Sequence, residues 1–244
     1  MIDNALLIGL LEAGDEQSWT AQLVALANAQ GFPYVLFGLL PSRQTRFSTA
    51  YVRTNYPAAW RARYSDAGFV HIDPTVAHCL KSTLPLVWSR ATFEEALAGA
   101  MYEEACAHGL RSGVTLPVHG PQGELGLISF ASEHAPDAAC ARRVAAALPV
   151  LALIRDYAFA SAARFHEGAL EPGMPRLTRR ELEVLRWVML GKSSWEIARI
   201  TACSEATINF HLANVRQKFG VNTRQQAVVI ALGLGLLSTE EQRR

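Results

Sequence analysis

Start and stop signals for four short helices, crowded into residues 177–237, restrict what this chain can fold into more than any other feature of it. Thr178 with Glu181, and Ser193 with Glu196, each spell a capping box, in which hydroxyl and carboxylate satisfy each other's unpaired backbone amides at a helix start. Ser204 and Thr223 are further N-cap residues. Gly191 and Gly220 mark stops, since glycine takes the left-handed position after a helix without strain. The segment therefore reads as helices over 179–190, 194–200, 205–219 and about 224–234. The second and third are joined by the tight TACS connection, which makes a helix-turn-helix.

The third of these helices carries the chemistry. Ile208, Leu212, Val215 and Phe219 recur at helical spacing and form one buried stripe. At about 100° per residue, Glu205, Ala206, Asn209, Ala213, Arg216 and Gln217 lie away from it. Amide, small and basic side chains suit a major groove, where Asn or Gln pairs with adenine and Arg reaches guanine or phosphate. Lys192, with the amides and hydroxyls of Ser193 and Ser194 at a helix start, suits a phosphate contact that positions without reading sequence. Charge agrees with duplex DNA as the partner. Residues 1–169 hold 12 Lys/Arg against 15 Asp/Glu, and residues 170–244 hold 11 against 7.

The first 165 residues follow a different pattern. Runs at 34–40, 47–53, 112–119 and 124–132 read as strands, the last two joined by GPQG, and helical stretches fall at 4–14, 18–30, 57–67, 73–82 and 99–108. A long apolar helix over 138–165 carries Leu148, Leu151, Ile154 and Phe159, more than one buried stripe needs. HEGALEPGMPR, residues 166–176, is the linker. The expected fold class is α+β: an N-terminal α/β/α sandwich with an antiparallel sheet over 1–165, then an all-α four-helix domain over 177–244. No uninterrupted apolar run approaches the roughly 20 residues of a membrane span, and Asp3 with no basic n-region argues against an export signal. A cytoplasmic protein without a membrane partner is expected. Cys79, Cys106, Cys140 and Cys203 show no metal or disulfide spacing and read as small apolar residues, so neither metal nor cofactor is expected.

Residues 177–237 resemble the DNA-binding domain of the LuxR family, with Glu181, Leu185 and Gly191 at its most regular positions. Upstream, NYPAAWRARYSDAGFVHIDPTVAHC, LPLVW, GLRSGVTLPVHGPQGELG and LISF resemble the autoinducer-binding domain of quorum-sensing regulators, nearest to members that receive a long-chain acyl-homoserine lactone. The resemblance implies a transcription factor, most simply an activator, that binds an N-acyl-homoserine lactone and dimerises on a twofold-symmetric site. RNA polymerase is then an expected partner, and helix four with the long helix before the linker would supply the dimer contacts. The alternatives are a regulator of the same type that needs no ligand or senses another molecule, and an enzyme acting on acyl-lactones.

The resemblance also assigns a site. Trp60 would donate to the lactone carbonyl, Asp73 accept the amide N–H and Tyr56 donate to the amide carbonyl. Trp88 would wall the ring, with Tyr64, Phe93, Ala105 and Leu110 nearby. Tyr56 and Trp60, four apart, point the same way. Strand period places Leu125, Leu127 and Ser129 on one face, and Gly113 and Thr115 on one face, so Ser129 offers a second hydroxyl. Thr75 and Thr115 are further polar candidates. Asp73 before Pro74 is also a helix cap. Arg61 could hold a 3-oxo group through water, which keeps a 3-oxo ligand admissible. Against the long-chain receptors, Phe93 replaces a Tyr, Leu127 an Ala and Leu80 a polar residue. The bulk at Leu127 removes roughly three methylene-equivalents of space, which predicts a shorter or differently placed tail.

Overall fold

The computed structural model describes residues 4–41, 45, 47–121, 123–166, 177–234 and 236–237. They divide into two compact units. The first contains α1 (Asn4–Glu12), α2 (Glu16–Ala29), β1 (Tyr34–Leu40), β2 (Tyr51–Thr54), α3 (Ala58–Asp66), α4 (Pro74–Cys79), β3 (Leu86–Val87), α5 (Ala96–Ala107), β4 (Ser112–His119), β5 (Leu125–Ser132) and α6 (Ala138–His166). The strands form one antiparallel sheet in the order β2-β1-β5-β4-β3.

Strand alternation sends side chains to two cores. Val35, Phe37, Leu39, Val114, Leu116, Ile128 and Phe130 pack with α1, α2 and α6. On the opposite face, Leu36 and Ala131 join Tyr56, Trp60, Phe69, Trp88 and Phe93. The first layer is tied to the end of α6: Trp19 Nε1 donates to Ser161 Oγ at 2.8 Å, and Arg164 donates to the Leu10 and Leu11 carbonyls. Gly126 permits the close pairing of β5 with β1, because a Cβ there would stand 2.3 Å from the Gly38 carbonyl oxygen.

Several expectations need correcting. Residues 47–49 form a 3-10 turn, and strand β2 runs only over Tyr51–Thr54. The two-residue β3 was not foreseen. Of the apolar residues on α6, Leu151 and Ile154 are buried and Leu148 and Phe159 pack partly against the same core, so the unpartnered residue is Leu153. By length and composition, residues 138–165 could cross a membrane, but Val144, Leu151, Ile154, Ala158 and Ala162 belong to the core of this unit. Cys79 and Cys140 are buried as expected; Cys106 is half-buried and Cys203 exposed. The proposed linker lies outside the described residues, apart from the helical backbone of His166.

The second unit consists of α7 (Arg179–Met189), α8 (Ser194–Ile200), α9 (Glu205–Phe219) and α10 (Arg224–Gly233). The four N-caps are Thr178, Ser193, Ser204 and Thr223, and Thr223 forms an additional capping box with Gln226. Gly220 ends α9 at φ 65°, where a side chain would be strained. Buried Glu181 accepts from Lys218 Nζ at 2.6 Å and from the Thr178 amide, joining the end of α9 to the start of α7.

Candidate functional site

Between the second sheet face and α3, α4 and α5 lies a cavity of about 770 Å³, within the range of roughly 300–1,000 Å³ usual for small-molecule sites. Its polar residues gather together. Asp73, the N-cap of α4, accepts from the Tyr64 hydroxyl at 2.9 Å, the Thr75 amide at 2.8 Å and the Thr75 hydroxyl at 2.7 Å. Trp60, four residues before Tyr64 on α3, is buried among the rings of Tyr64, Phe69 and His108. Tyr56 and Ser129 complete the polar end. Along β5, Leu127 and Leu125 follow Ser129 on the same face at about 7 Å steps, and with Leu40, Val52, Val76 and Leu80 they line an apolar extension.

Burial raises the Asp73 carboxyl above the ordinary carboxylate range, opposed by the bonds from Thr75 and Tyr64. Burial and the Asp73 charge raise the Tyr56 and Tyr64 phenols, so both keep their protons and act as donors. The buried Tyr56 hydroxyl makes no well-formed hydrogen bond, and Ser129 is the polar group facing it. Cys79 also lines the cavity, its thiol pushed up to about 12 by burial. This end therefore offers phenol and hydroxyl donors around one carboxylate acceptor, a set that fits a ligand with carbonyl oxygens and an N–H or O–H.

Most sequence-predicted residues meet here: Tyr56, Trp60, Tyr64, Asp73, Thr75, Trp88, Phe93, Ala105, Leu110, Leu127 and Ser129 all line the cavity. Arg61 also lines it, although its side chain is largely exposed. Thr115 does not. It is fully buried behind the wall, accepting from Trp88 Nε1 at 2.9 Å and bonded to Ser129 Oγ at 2.8 Å. Met101 and Tyr102 line the cavity without having been foreseen; Tyr102 stacks on Phe93 with centroids 4.3 Å apart. The helical spacing of Ala98, Met101, Tyr102 and Ala105 was the available signal.

In the second unit, Ile208, Leu212 and Val215 are buried and Phe219 partly so, which leaves Glu205, Ala206, Asn209, Ala213, Arg216 and Gln217 exposed as predicted. Beside Gln217, at one edge of that outer face and opposite the buried stripe, stands Phe210, about 62% exposed and absent from the predicted set. At the start of α8 the groups assigned to a phosphate are partly engaged within the helix itself. The Ser193 amide and hydroxyl are engaged by Glu196, which also binds Lys192 at 3.2 Å, and these contacts hold Glu196 down to about 2. Ser194 is half-buried in the first turn of α8.

Residues 15–162 match the family model of the autoinducer binding domain, and residues 175–231 match that of bacterial regulatory proteins, luxR family. The chain belongs to the LuxR family. This LuxR-family chain is 34% identical to the transcriptional activator protein VanR of Vibrio anguillarum, over 86% of its length and 87% of the relative's. It is 32% identical to AnoR of Acinetobacter nosocomialis, over 95% and 97%. A solved structure of SdiA in complex with octanoyl-rac-glycerol superposes with a TM-score of 0.74 at 28% identity, covering 96% of this chain and 97% of that one. The chain is thus an autoinducer-binding transcriptional regulator with a helix-turn-helix output.

Proposed function

We propose that the chain is a cytoplasmic transcriptional activator whose first unit takes an N-acyl-homoserine lactone and whose second unit, in a homodimer, binds a twofold-symmetric operator and recruits RNA polymerase. It is proposed as a regulator with no reaction of its own. One observation carries the ligand reading: the Asp73 acceptor and the Tyr56 and Ser129 hydroxyls share one end of a cavity whose remainder is hydrocarbon. Asp73 takes the amide N–H, Tyr56 the amide carbonyl and Trp60 the lactone carbonyl, while the tail follows Leu127 and Leu125 along β5. The likeness to LasR, with its long-chain lactone, belongs to this reading. A second reading has its own support: the relative solved with octanoyl-rac-glycerol makes an acylglycerol a candidate occupant.

Residues 1–165 are proposed to bind ligand and dimerise and residues 177–244 to bind DNA, with exposed Leu153 on α6 and Val229 on α10 at the dimer contacts. Asn209, Ala213, Arg216 and Gln217 read base edges. The test is mass spectrometry of ligand retained by full-length protein from cells fed lactones or acylglycerols, followed by gel-shift titration on selected palindromic and half-site duplexes. Retention of a lactone and preference for the palindrome are expected. Retention of neither ligand class, or equal affinity for a half-site, refutes the respective half of the proposal.

A further inference from the structure

We propose that Thr115 is a positioning residue that fixes the direction of the Ser129 proton, so that Trp88, Thr115 and Ser129 form a one-way relay delivering a hydrogen-bond donor into the cavity beside Tyr56. This rests on the carbonyl-bearing ligand proposed above and adds the sense of each hydrogen bond.

The relay has only one consistent direction. An indole has an N–H and no acceptor, so the 2.9 Å bond between Trp88 Nε1 and Thr115 Oγ1 runs from Trp88 to Thr115. Thr115 is fully buried, and Ser129 Oγ, at 2.8 Å, is its other hydroxyl contact. Were Ser129 to donate to Thr115, the Thr115 hydrogen would be buried without an acceptor, which costs about as much as a lost hydrogen bond. With Thr115 donating to Ser129, both Thr115 contacts are used in the sense its hydroxyl allows, and the Ser129 proton is left free for another acceptor. The Ser129 proton is then turned off Thr115 and towards the cavity its side chain lines.

That proton meets a second donor. The Tyr56 hydroxyl is buried without a well-formed partner and faces Ser129. Two neighbouring hydroxyls that both donate into the cavity suit an atom with two lone pairs and no hydrogen, which is a carbonyl oxygen. Trp88 thus has two roles, as part of the cavity wall and as the anchor of the relay, and its ring is braced edge-on by Phe93 at 6.4 Å. The site selects by hydrogen-bond sense as well as by shape: a carbonyl oxygen is accepted at this point, and a donor there meets two donors.

The experiment is equilibrium dialysis of full-length wild type, Thr115→Val, Thr115→Ser, Ser129→Ala and the Thr115→Val/Ser129→Ala double variant. The two probes are N-decanoyl-homoserine lactone and 1-octanoyl-glycerol, which share a carbonyl and differ in the headgroup. Thr115→Val, which keeps shape and removes the hydroxyl, is expected to weaken binding about tenfold, the loss of one directed hydrogen bond. Thr115→Ser restores affinity to within about threefold, allowing a few tenths of a kcal/mol for the lost methyl contact. In the Ser129→Ala background, Thr115→Val adds nothing, since the proton it directs is gone. A merely structural role for Thr115 would instead give additive losses. Additive losses, an unaffected Thr115→Val, or a Thr115→Ser as weak as Thr115→Val overturns the relay. Binding of the glycerol ester but not the lactone by wild type overturns the lactone reading while leaving the relay tested on the ester; binding of neither overturns both. If Thr115→Val does not fold, Trp88→Phe replaces it: removing the anchor releases Thr115 to accept from Ser129, and a loss of affinity is again expected, with unchanged affinity counting against the relay.

Discussion

Replacing Asp73 with Asn should move two measurable quantities in opposite directions. Burial raises the Asp73 carboxyl pKa in the folded chain, against the bonds from Thr75 and Tyr64. A carboxyl whose folded pKa lies above its unfolded value contributes stability that is fully present below the unfolded pKa and lost as pH rises through the folded one. Ionised Asp73 is therefore carried at a cost to the fold, and Asp73→Asn removes it. The amide oxygen can still accept from the Thr75 amide and hydroxyl, while its NH₂ can donate to Tyr64 if that hydroxyl turns. Without ligand, the variant should melt above wild type, and the gap should widen as pH rises through the Asp73 titration.

Ligand binding should show the opposite sign. Asp73 is the proposed acceptor for the ligand N–H, and a hydrogen bond to a charged group is worth about 1.5–3 kcal/mol. Its loss corresponds to roughly 10- to 150-fold in dissociation constant. The assay is thermal melting of full-length protein between pH 5 and 8, with and without N-decanoyl-homoserine lactone, alongside equilibrium dialysis at neutral pH. A fall in both unliganded stability and affinity would mean that Asp73 serves only the fold. Unchanged affinity would remove it from the site.

Three further outcomes are expected. Leu127→Ala opens roughly three methylene-equivalents about 7 Å along β5 from Ser129, so the preferred acyl chain should lengthen by a few carbons, by up to about 2.4 kcal/mol at ~0.8 per methylene; an unmoved optimum in a dose–response series over acyl lengths refutes the tail path. Phe210→Ala should weaken operator binding about fivefold through a lost thymine-methyl contact, and replacing thymine by deoxyuridine across the site should reproduce that loss in wild type but not in the variant; equal sensitivity of both proteins removes Phe210 from the reading face. Glu181, whose pKa is lowered because Lys218 and Thr178 outweigh burial, stabilises the fold above its unfolded pKa and loses that contribution as pH falls through the folded one. Glu181→Gln should therefore flatten the acid limb of C-terminal-unit stability, followed by hydrogen exchange; an unchanged acid limb refutes the assignment.

Helices α7 to α10 were legible because each begins with a side chain that caps its own backbone, a signal contained within four residues. Strands β1, β4 and β5 were legible from apolar runs bounded by turns. β3 was not, since two residues carry no period and its pairing with Thr115 and Val114 is set by partners 29 and 27 residues away. The site residues were legible by resemblance and parity, yet parity places a residue on a face without saying whether it reaches the surface of that face. Thr115 lies behind Trp88 and Ser129 for that reason. At α8 the capping box was legible, and its consequence is that a phosphate there competes with Glu196 for the Ser193 amide and hydroxyl. Phe210 was legible too: the same 100° spacing puts it opposite the Ile208–Phe219 stripe, and its exposure agrees.

The bonds that tie the first two helices to the end of α6 also order events in time. Trp19 meets Ser161 across 142 residues and Leu10 meets Arg164 across 154. At a synthesis rate of about 5–20 residues per second, the ribosome needs roughly 7–30 s after making the first partner to deliver the second. Contacts of such sequence separation form late. The sheet is complete once Ser132 is made, so for the last part of that interval, about 2–6 s at the same rate, the nascent domain has its ligand-facing strands and an unclosed opposite layer. Under the proposed function, a signal taken up at this stage would link the yield of folded regulator to ligand concentration at the moment of synthesis.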